Sequence, residues 1–371
     1  MHGRSSAWAL AAIYAALIVF ASLFPFEGWR AQGIDPWSFV WAKLPPPYWT
    51  WFDVNTNIAG YVPLGFLLAL AMLSDGRRAR WAFLAALLLG AGLSLSMEFL
   101  QIYLPRRVPS NMDWLLNALG VMLGALCTMA LARLGVLQRW SVLRERWLVP
   151  HAGGALALLA LWPVALLFPV ALPFGLGQVM ERLDLWLNEM FDGTPFMAWL
   201  PLWDIAMEPL SKGAELLCVL LGLLVPCLLG FCIITHKGRR LVFVWLVAAV
   251  GVGATALSAA LTYGPSHAWE WLQLPGRIGM LGAVVLAMAL VWAPRRLCGV
   301  LLLLVLCMHL GWLNQAPTDV YFAQTLQLWE QGQFIRFYGL AQWLGWLWPY
   351  VTLVYVGWYV AQRDSAPRMA T

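Results

Sequence analysis

Asp53-Val54-Asn55-Thr56-Asn57 opens a run that continues through Gly60-Tyr61-Val62-Pro63-Leu64-Gly65-Phe66 and stays apolar as far as Leu73. Two more polar islands follow in similar sequence. Glu98-Phe99-Leu100-Gln101 runs into Leu104-Pro105-Arg106-Arg107, and Ser110-Asn111-Met112-Asp113 leads to Asn117, Gly120 and Gly124. The apolar stretches carrying these islands are about 20 residues long, enough to cross the hydrocarbon of a bilayer. A carboxylate in lipid costs several kcal/mol unless it is paired, so ionisable groups in such stretches are functional candidates by default.

The rest of the chain has the same character. Of its 371 residues 62% are hydrophobic and 11% charged, against about 25% charged in a soluble domain. The fold class is therefore all-α: a polytopic integral membrane helical bundle of about ten transmembrane helices. Spans are expected near 7–24, 53–73, 81–104, 112–134, 153–172, 212–235, 241–261, 278–292, 297–313 and 338–360. The first reads as a retained span, since no small-x-small cleavage site follows it. The 24 tryptophans suit interfacial belts.

A net charge of +5 does not make this a nucleic-acid binder. The basic residues sit in short loops between spans, where they set orientation rather than track a phosphate chain. Arg77, Arg78 and Arg80, the link with Arg133, Arg139, Arg144 and Arg146, the turn with Lys237, Arg239 and Arg240, and Arg295-Arg296 all fall on one side when spans alternate. Most acids fall on the other. This bias puts both termini in the cytoplasm and all three polar islands at the outer face.

Two domains are expected. Residues 1–146 form a four-helix membrane domain, and residues 147–371 form a second of about six helices. The second includes an outer-face segment, 173–209, in which 178–191 has the spacing of an amphipathic surface helix. Asp75-Gly76-Arg77-Arg78 recurs as Lys237-Gly238-Arg239-Arg240. Glu98-x-x-Gln101 before Leu104-Pro105-Arg106 recurs as Glu270-x-x-Gln273 before Leu274-Pro275-Gly276-Arg277. These recurrences hint at a degenerate internal duplication, a frequent device of membrane folds, although their offsets differ by ten residues and short basic turns between spans also recur for topological reasons alone.

Taken singly, the polar residues have plain explanations. Asp53 stands where a helix starts and can cap it. Asn57 can bond a neighbouring helix, and Gly120 with Gly124 can seat a close crossing. Ser110 or Asn111 can cap the next helix, with Asp113 in its first turn. Glu98 is expected about six residues, or roughly 9 Å, inside its span, too deep for a solvated end. Spacing joins them: Asp53/Asn57 and Asp113/Asn117 are i,i+4 pairs, and Glu98/Gln101 is i,i+3, each on one helix face. Three successive spans thus bring a carboxylate and an amide to the same leaflet, with two arginines in a loop between. Such a pocket suits a phosphorylated or carboxylated headgroup held by arginine, or a divalent cation between Asp53, Glu98 and Asp113.

No Ser/His/Asp or Cys/His arrangement and no phosphate-cradling glycine motif occurs. The six cysteines lie in or beside apolar runs without a Cys-x-x-Cys, and the five histidines are scattered, so neither a metal site nor a cofactor is expected.

The series Asp53-x-x-x-Asn57, Pro63-Leu64-Gly65-Phe66, Glu98-x-x-Gln101, Leu104-Pro105-Arg106 and Asp113-x-x-x-Asn117-x-x-Gly120-x-x-x-Gly124 resembles the VanZ-like family over about residues 10–135. Where that family usually has Pro-Gly-Arg this chain has Pro105-Arg106-Arg107, and Arg106 is the favoured counterpart. The resemblance implies a small bacterial integral membrane protein of the cell envelope, in the inner (cytoplasmic) membrane. The founding member is associated with resistance to the glycopeptide teicoplanin; its biochemical activity is not established, so no reaction is implied.

The expected function is recognition, in an outer-leaflet polar pocket, of a membrane lipid headgroup or a lipid-linked envelope precursor. The pocket comprises Asp53, Asn57, Glu98, Gln101, Arg106, Asp113 and Asn117. Glu98 is its acid or anchor and Arg106 its anion binder. Asp53 and Asp113 are charge partners, and the three amides orient the ligand. A transporter or flippase built from two pseudo-repeats, and a non-catalytic scaffold for envelope enzymes, are the alternatives. Sequence alone separates neither an enzyme from a binder nor one oligomeric state from another.

Overall fold

The computed structural model describes residues 6–361, apart from positions 25, 34, 36, 48, 151, 169–171, 196, 198–209, 264 and 316–334. Part of the expected outer-face segment (198–209) lies outside the described residues. Among those described, the secondary structure is helical, with one isolated bridge between Leu148 and Ile234. The chain divides into two compact units, Met1–Arg146 and Trp147–Thr371.

The first unit contains α1 (Ser6–Leu23), α2 (Trp51–Ser74), α3 (Ala79–Gln101), α4 (Asn111–Arg133) and α5 (Val136–Trp147). Helix α2 begins earlier than the sequence suggested. Thr50, not Asp53, is its N-cap: the Thr50 hydroxyl accepts from the Asp53 amide, and the Asp53 carboxylate accepts from the Thr50 amide. This reciprocal capping box uses two otherwise unsatisfied donors at the helix start. A tight turn through Gly76, at φ +78°, reverses the chain into α3.

Helix α3 buries a ridge of residues four apart: Ala82, Ala86, Gly90, Ser94 and Glu98. Helix α4 buries Asn117, Gly120, Val121, Gly124, Ala125 and Thr128. The opposite faces expose Leu84, Leu88 and Leu89 on α3, and Leu115, Leu119, Leu123 and Leu126 on α4. Small residues inside and leucines outside is the arrangement of a helix whose solvent is lipid, where packing rather than hydrophobicity joins helices. The closest crossing is between α2 and α4. A Cβ on Gly120 would overlap the Ile58 carbonyl, one on Gly124 the Val62 carbonyl, and one on Gly65 the Val121 carbonyl.

The link after α4 carries a helix, α5, that the sequence reading passed over as a basic loop. None of its residues is buried, and Val136, Trp140 and Leu143 recur on one exposed face between arginines. That pattern suits an interfacial helix.

In the second unit, α6 (Gly153–Ala165) and α7 (Met180–Phe191) precede α8 (Lys212–Ile233), α9 (Lys237–Tyr263), α10 (Leu274–Leu290), α11 (Arg295–Leu313) and α12 (Ile335–Ala361). Helix α8 is the axis, buried over most of its length, with α6, α9, α10 and α11 packed on it. Helix α7 occupies most of the expected amphipathic stretch. Its start is capped by Asn314, whose carbonyl oxygen accepts from the Val179 and Met180 amides.

Among the described residues six helices are long and apolar enough to cross a membrane, within 53–74, 79–101, 111–133, 212–233, 237–262 and 295–313. Ala7–Leu23, Gly153–Ala165 and Leu274–Leu290 are shorter apolar helices. The chain is thus a multi-pass helical membrane protein. Helices α3 and α6 end earlier than expected, each for a local reason. Helix α3 stops at Gln101 because Ile102, Tyr103 and Leu104 turn through i→i−3 bonds ahead of Pro105. Helix α6 stops at Ala165, two residues after Pro163.

Candidate functional site

The ends of α1 and α3 and the starts of α2 and α4 meet at one end of the first unit, and backbone chemistry explains most of the polar side chains there. The last turn of α1 leaves carbonyls without helical donors. Arg107 supplies donors, with Nη2 3.3 Å from the Ala21 oxygen and 3.0 Å from that of Phe24. Gln101 donates to the Ser22 carbonyl at 3.1 Å. The loop after α1 is pinned to the loop after α3 by the Arg30 amide on the Tyr103 carbonyl and by Gln32 on Ile102.

Glu98 is 4% exposed. Since α3 ends at Gln101, it stands in the last turn of the helix and not deep within the span. Its burial comes instead from the 105–110 loop and the start of α4. Oε2 accepts from the Ser110 amide at 2.9 Å, and Ser110 is the N-cap of α4, its hydroxyl accepting from the Asp113 amide at 3.3 Å. The Glu98 carboxylate thereby sits on a helix N-terminus, where the dipole favours negative charge.

One turn before Glu98, Ser94 is fully buried and accepts from Asn117 Nδ2 at 2.9 Å. The carbonyl oxygen of Asn117 receives no protein donor. Across from them on α2, the Tyr61 hydroxyl lies beside Ser94 and within electrostatic reach of Glu98 without making a hydrogen bond, and Asn57 Nδ2, one turn earlier, is buried without an acceptor. Three buried polar atoms without protein partners are thus gathered between α2, α3 and α4. Buried polar groups are otherwise almost always bonded, because each orphan costs about 1–3 kcal/mol.

The residues expected to form one pocket therefore separate. Glu98, Ser94, Asn117 and Tyr61 come together, and Asn57 lies one turn before Tyr61 on α2. Asp53 is bound to Thr50 in the capping box, Gln101 faces α1, Asp113 lies in the first turn of α4, and Arg106 is exposed on the loop. The divalent-cation alternative fails: among the described residues no group of three His, Cys, Asp or Glu side chains could hold a metal ion. The reason is local, since Asp53 is committed to the start of α2 and Glu98 to the start of α4.

Sequence reasoning missed Tyr61 and Ser94, and it favoured Arg106 over Arg107. The first two were within reach of the same spacing rule, since Tyr61 is i+4 from Asn57 and Ser94 is i−4 from Glu98. The suggested second copy does not reproduce this geometry. Glu270 falls beyond the end of α9, exposed and paired with His267 at 2.8 Å.

Residues 5–133 match the family model described as VanZ/LLP1, about a third of the chain. The first unit is thus VanZ-like through the end of α4. No curated protein and no solved structure matches the chain.

Proposed function

We propose that the first unit binds the headgroup of an envelope lipid or a lipid-linked precursor. The setting would be the bacterial inner membrane, with ten spans, both termini cytoplasmic and the site in the outer leaflet. The observation that carries this reading is the gathering of Asn57 Nδ2, Tyr61 Oη and Asn117 Oδ1, without protein partners, around Ser94 and Glu98. They offer donors, an acceptor and a hydroxyl that does either, a set that suits a polar headgroup. Exposed Arg106 at the same end is a cation free to meet a phosphate or carboxylate. The order of residues shared with VanZ-like sequences extends the reading to a role in susceptibility to teicoplanin-type glycopeptides.

Binding suits this site better than transport. Beyond Tyr61 and Asn117, α2 and α4 close backbone to backbone at Gly65, Gly120 and Gly124, which leaves no polar path along the crossing.

The test is the lipid profile of the full chain purified in native nanodiscs, compared with Glu98→Gln, Asn117→Leu and Arg106→Ala. Wild type should enrich one headgroup class several-fold over the surrounding membrane. Arg106→Ala, which removes only an exposed side chain, should lose that enrichment while keeping the thermal stability of wild type. Identical lipids in all four proteins would end the headgroup reading.

A further inference from the structure

A cavity of about 290 Å³ opens within the second unit. It lies where α8 and α10 begin and α9 approaches its end. Leu166, Phe168, Val219, Ala259 and Trp271 give it an apolar wall. Trp271 is held there by an edge contact with Phe174, centroids 6.2 Å apart, and by its indole N–H on the Ala268 carbonyl.

Four polar residues interrupt that wall. Among the described residues Glu215, in the first turn of α8, is the one charged side chain lining the cavity, and Gln273 stands at the start of α10. Ser258 is committed to the Leu167 carbonyl at 2.9 Å. Thr255 is 8% exposed, and its hydroxyl is buried without a hydrogen-bond partner. In an apolar setting a threonine can usually turn its hydroxyl back to the carbonyl one turn earlier, as Thr262 does to Ser258 at 2.7 Å. Thr255, which also lines the cavity, does not, and its hydroxyl has no partner.

An apolar concavity with a few convergent polar groups is the usual form of a small-ligand site, and this volume is near the lower end of that range. It takes a headgroup and the first carbons of a chain, not a whole lipid. The sign of the head follows from the lining. A lone carboxylate repels an anionic head and strengthens a hydrogen bond from a donor, most of all a charged one. We propose that this cavity is a binding site for a single-chain amphiphile whose head donates hydrogen bonds, an amine above an alcohol, with Glu215 as acceptor and Thr255 as the second polar contact. The proposal is independent of the headgroup site in the first unit.

Photolabelling of the full chain in nanodiscs tests it, using three diazirine probes of equal chain length: dodecylamine, dodecanol and dodecanoate. The amine should label the 255–259 part of α9 and the 271–276 stretch, and excess unlabelled dodecylamine should displace it. The carboxylate should label them at least about tenfold less, the size of one charge-assisted hydrogen bond. Ala259→Trp fills the cavity and should abolish this labelling while leaving labelling at lipid-facing Val242 and Leu246 unchanged. Glu215→Gln should lower amine labelling about tenfold and leave alcohol labelling intact; Thr255→Val should weaken both several-fold. Equal labelling by amine and carboxylate, or unchanged labelling in Ala259→Trp, would overturn the proposal. If Ala259→Trp does not fold, an unaltered amine-to-alcohol ratio in Glu215→Gln overturns it equally.

Discussion

Arg107 and Arg240 perform the same physical task, one in each unit: a guanidinium satisfies carbonyls that a helix end leaves without donors. Arg240 is 4% exposed, and its nitrogens reach the oxygens of Phe231 at 2.8 Å, Val291 at 2.9 Å and Ala293 at 2.7 Å. It thus ties the C-terminal ends of α8 and α10 to the start of α9. Arg240→Leu should be strongly destabilising, because each buried carbonyl left without a donor costs about 1–3 kcal/mol. Arg240→Lys should recover part of the loss, since an ammonium lacks the planar fork. Arg144→Ala, on an exposed residue of α5, should fall within about 0.5 kcal/mol of wild type. Thermal unfolding in detergent separates the three. The sequence marks such arginines as charges in basic turns, and it cannot say which of two neighbours turns inward. Arg106 and Arg107 lie in a loop, where no periodicity assigns a face, and it is Arg107 that caps α1. The helical residues were more legible: Asn57, Glu98 and Asn117 were recognisable because polar atoms in apolar helices need partners, and helical spacing fixes their faces.

At the level of elements, the α2–α4 crossing depends on the absence of side chains. A methyl at Gly124 would overlap the Val62 carbonyl and also press on the Phe66 amide, both backbone and neither able to swing aside. Gly124→Ala should therefore force the helices apart, at a cost of about 1–3 kcal/mol or more. Gly60→Ala is the contrast: nothing lies within 4 Å of a Cβ there, so it should be neutral or slightly stabilising. Melting temperatures of the two variants, measured side by side, check the difference. In the sequence Gly60 and Gly65 look alike, one on each side of Pro63. Five residues apart, they lie on different helix faces, and only the position of α4 decides which one matters. The glycines of α4 were easier, because Gly120 and Gly124 share a face with each other and with Asn117. Helix α5 escaped notice for the opposite reason. Its apolar residues are too few for a span, and its arginines suggest a loop until the period of Val136, Trp140 and Leu143 is counted.

For the whole molecule, composition and run length sufficed for the helical membrane class, because a bilayer demands long apolar helices of any spanning segment. Orientation rests on the basic loops and can be checked directly. Cys218, Cys227, Cys232 and Cys298 are buried, while Cys127 and Cys307 are exposed on apolar helices, where they would face lipid. A membrane-impermeant maleimide should therefore label none of the native cysteines in sealed vesicles. Arg106→Cys should react in right-side-out vesicles and Arg77→Cys only in inverted ones; the reverse pattern would invert the topology. The inward turn of Arg240 also bears on synthesis. Its acceptor on Phe231 precedes it in the chain, whereas that on Ala293 lies 53 positions later. At a ribosomal pace of about 5–20 residues per second, the charge must wait several seconds for its acceptors on Val291 and Ala293. Until then the nascent α8–α9 hairpin has to keep that end hydrated at the membrane surface, so this hairpin settles fully into the bilayer only once α10 has been made.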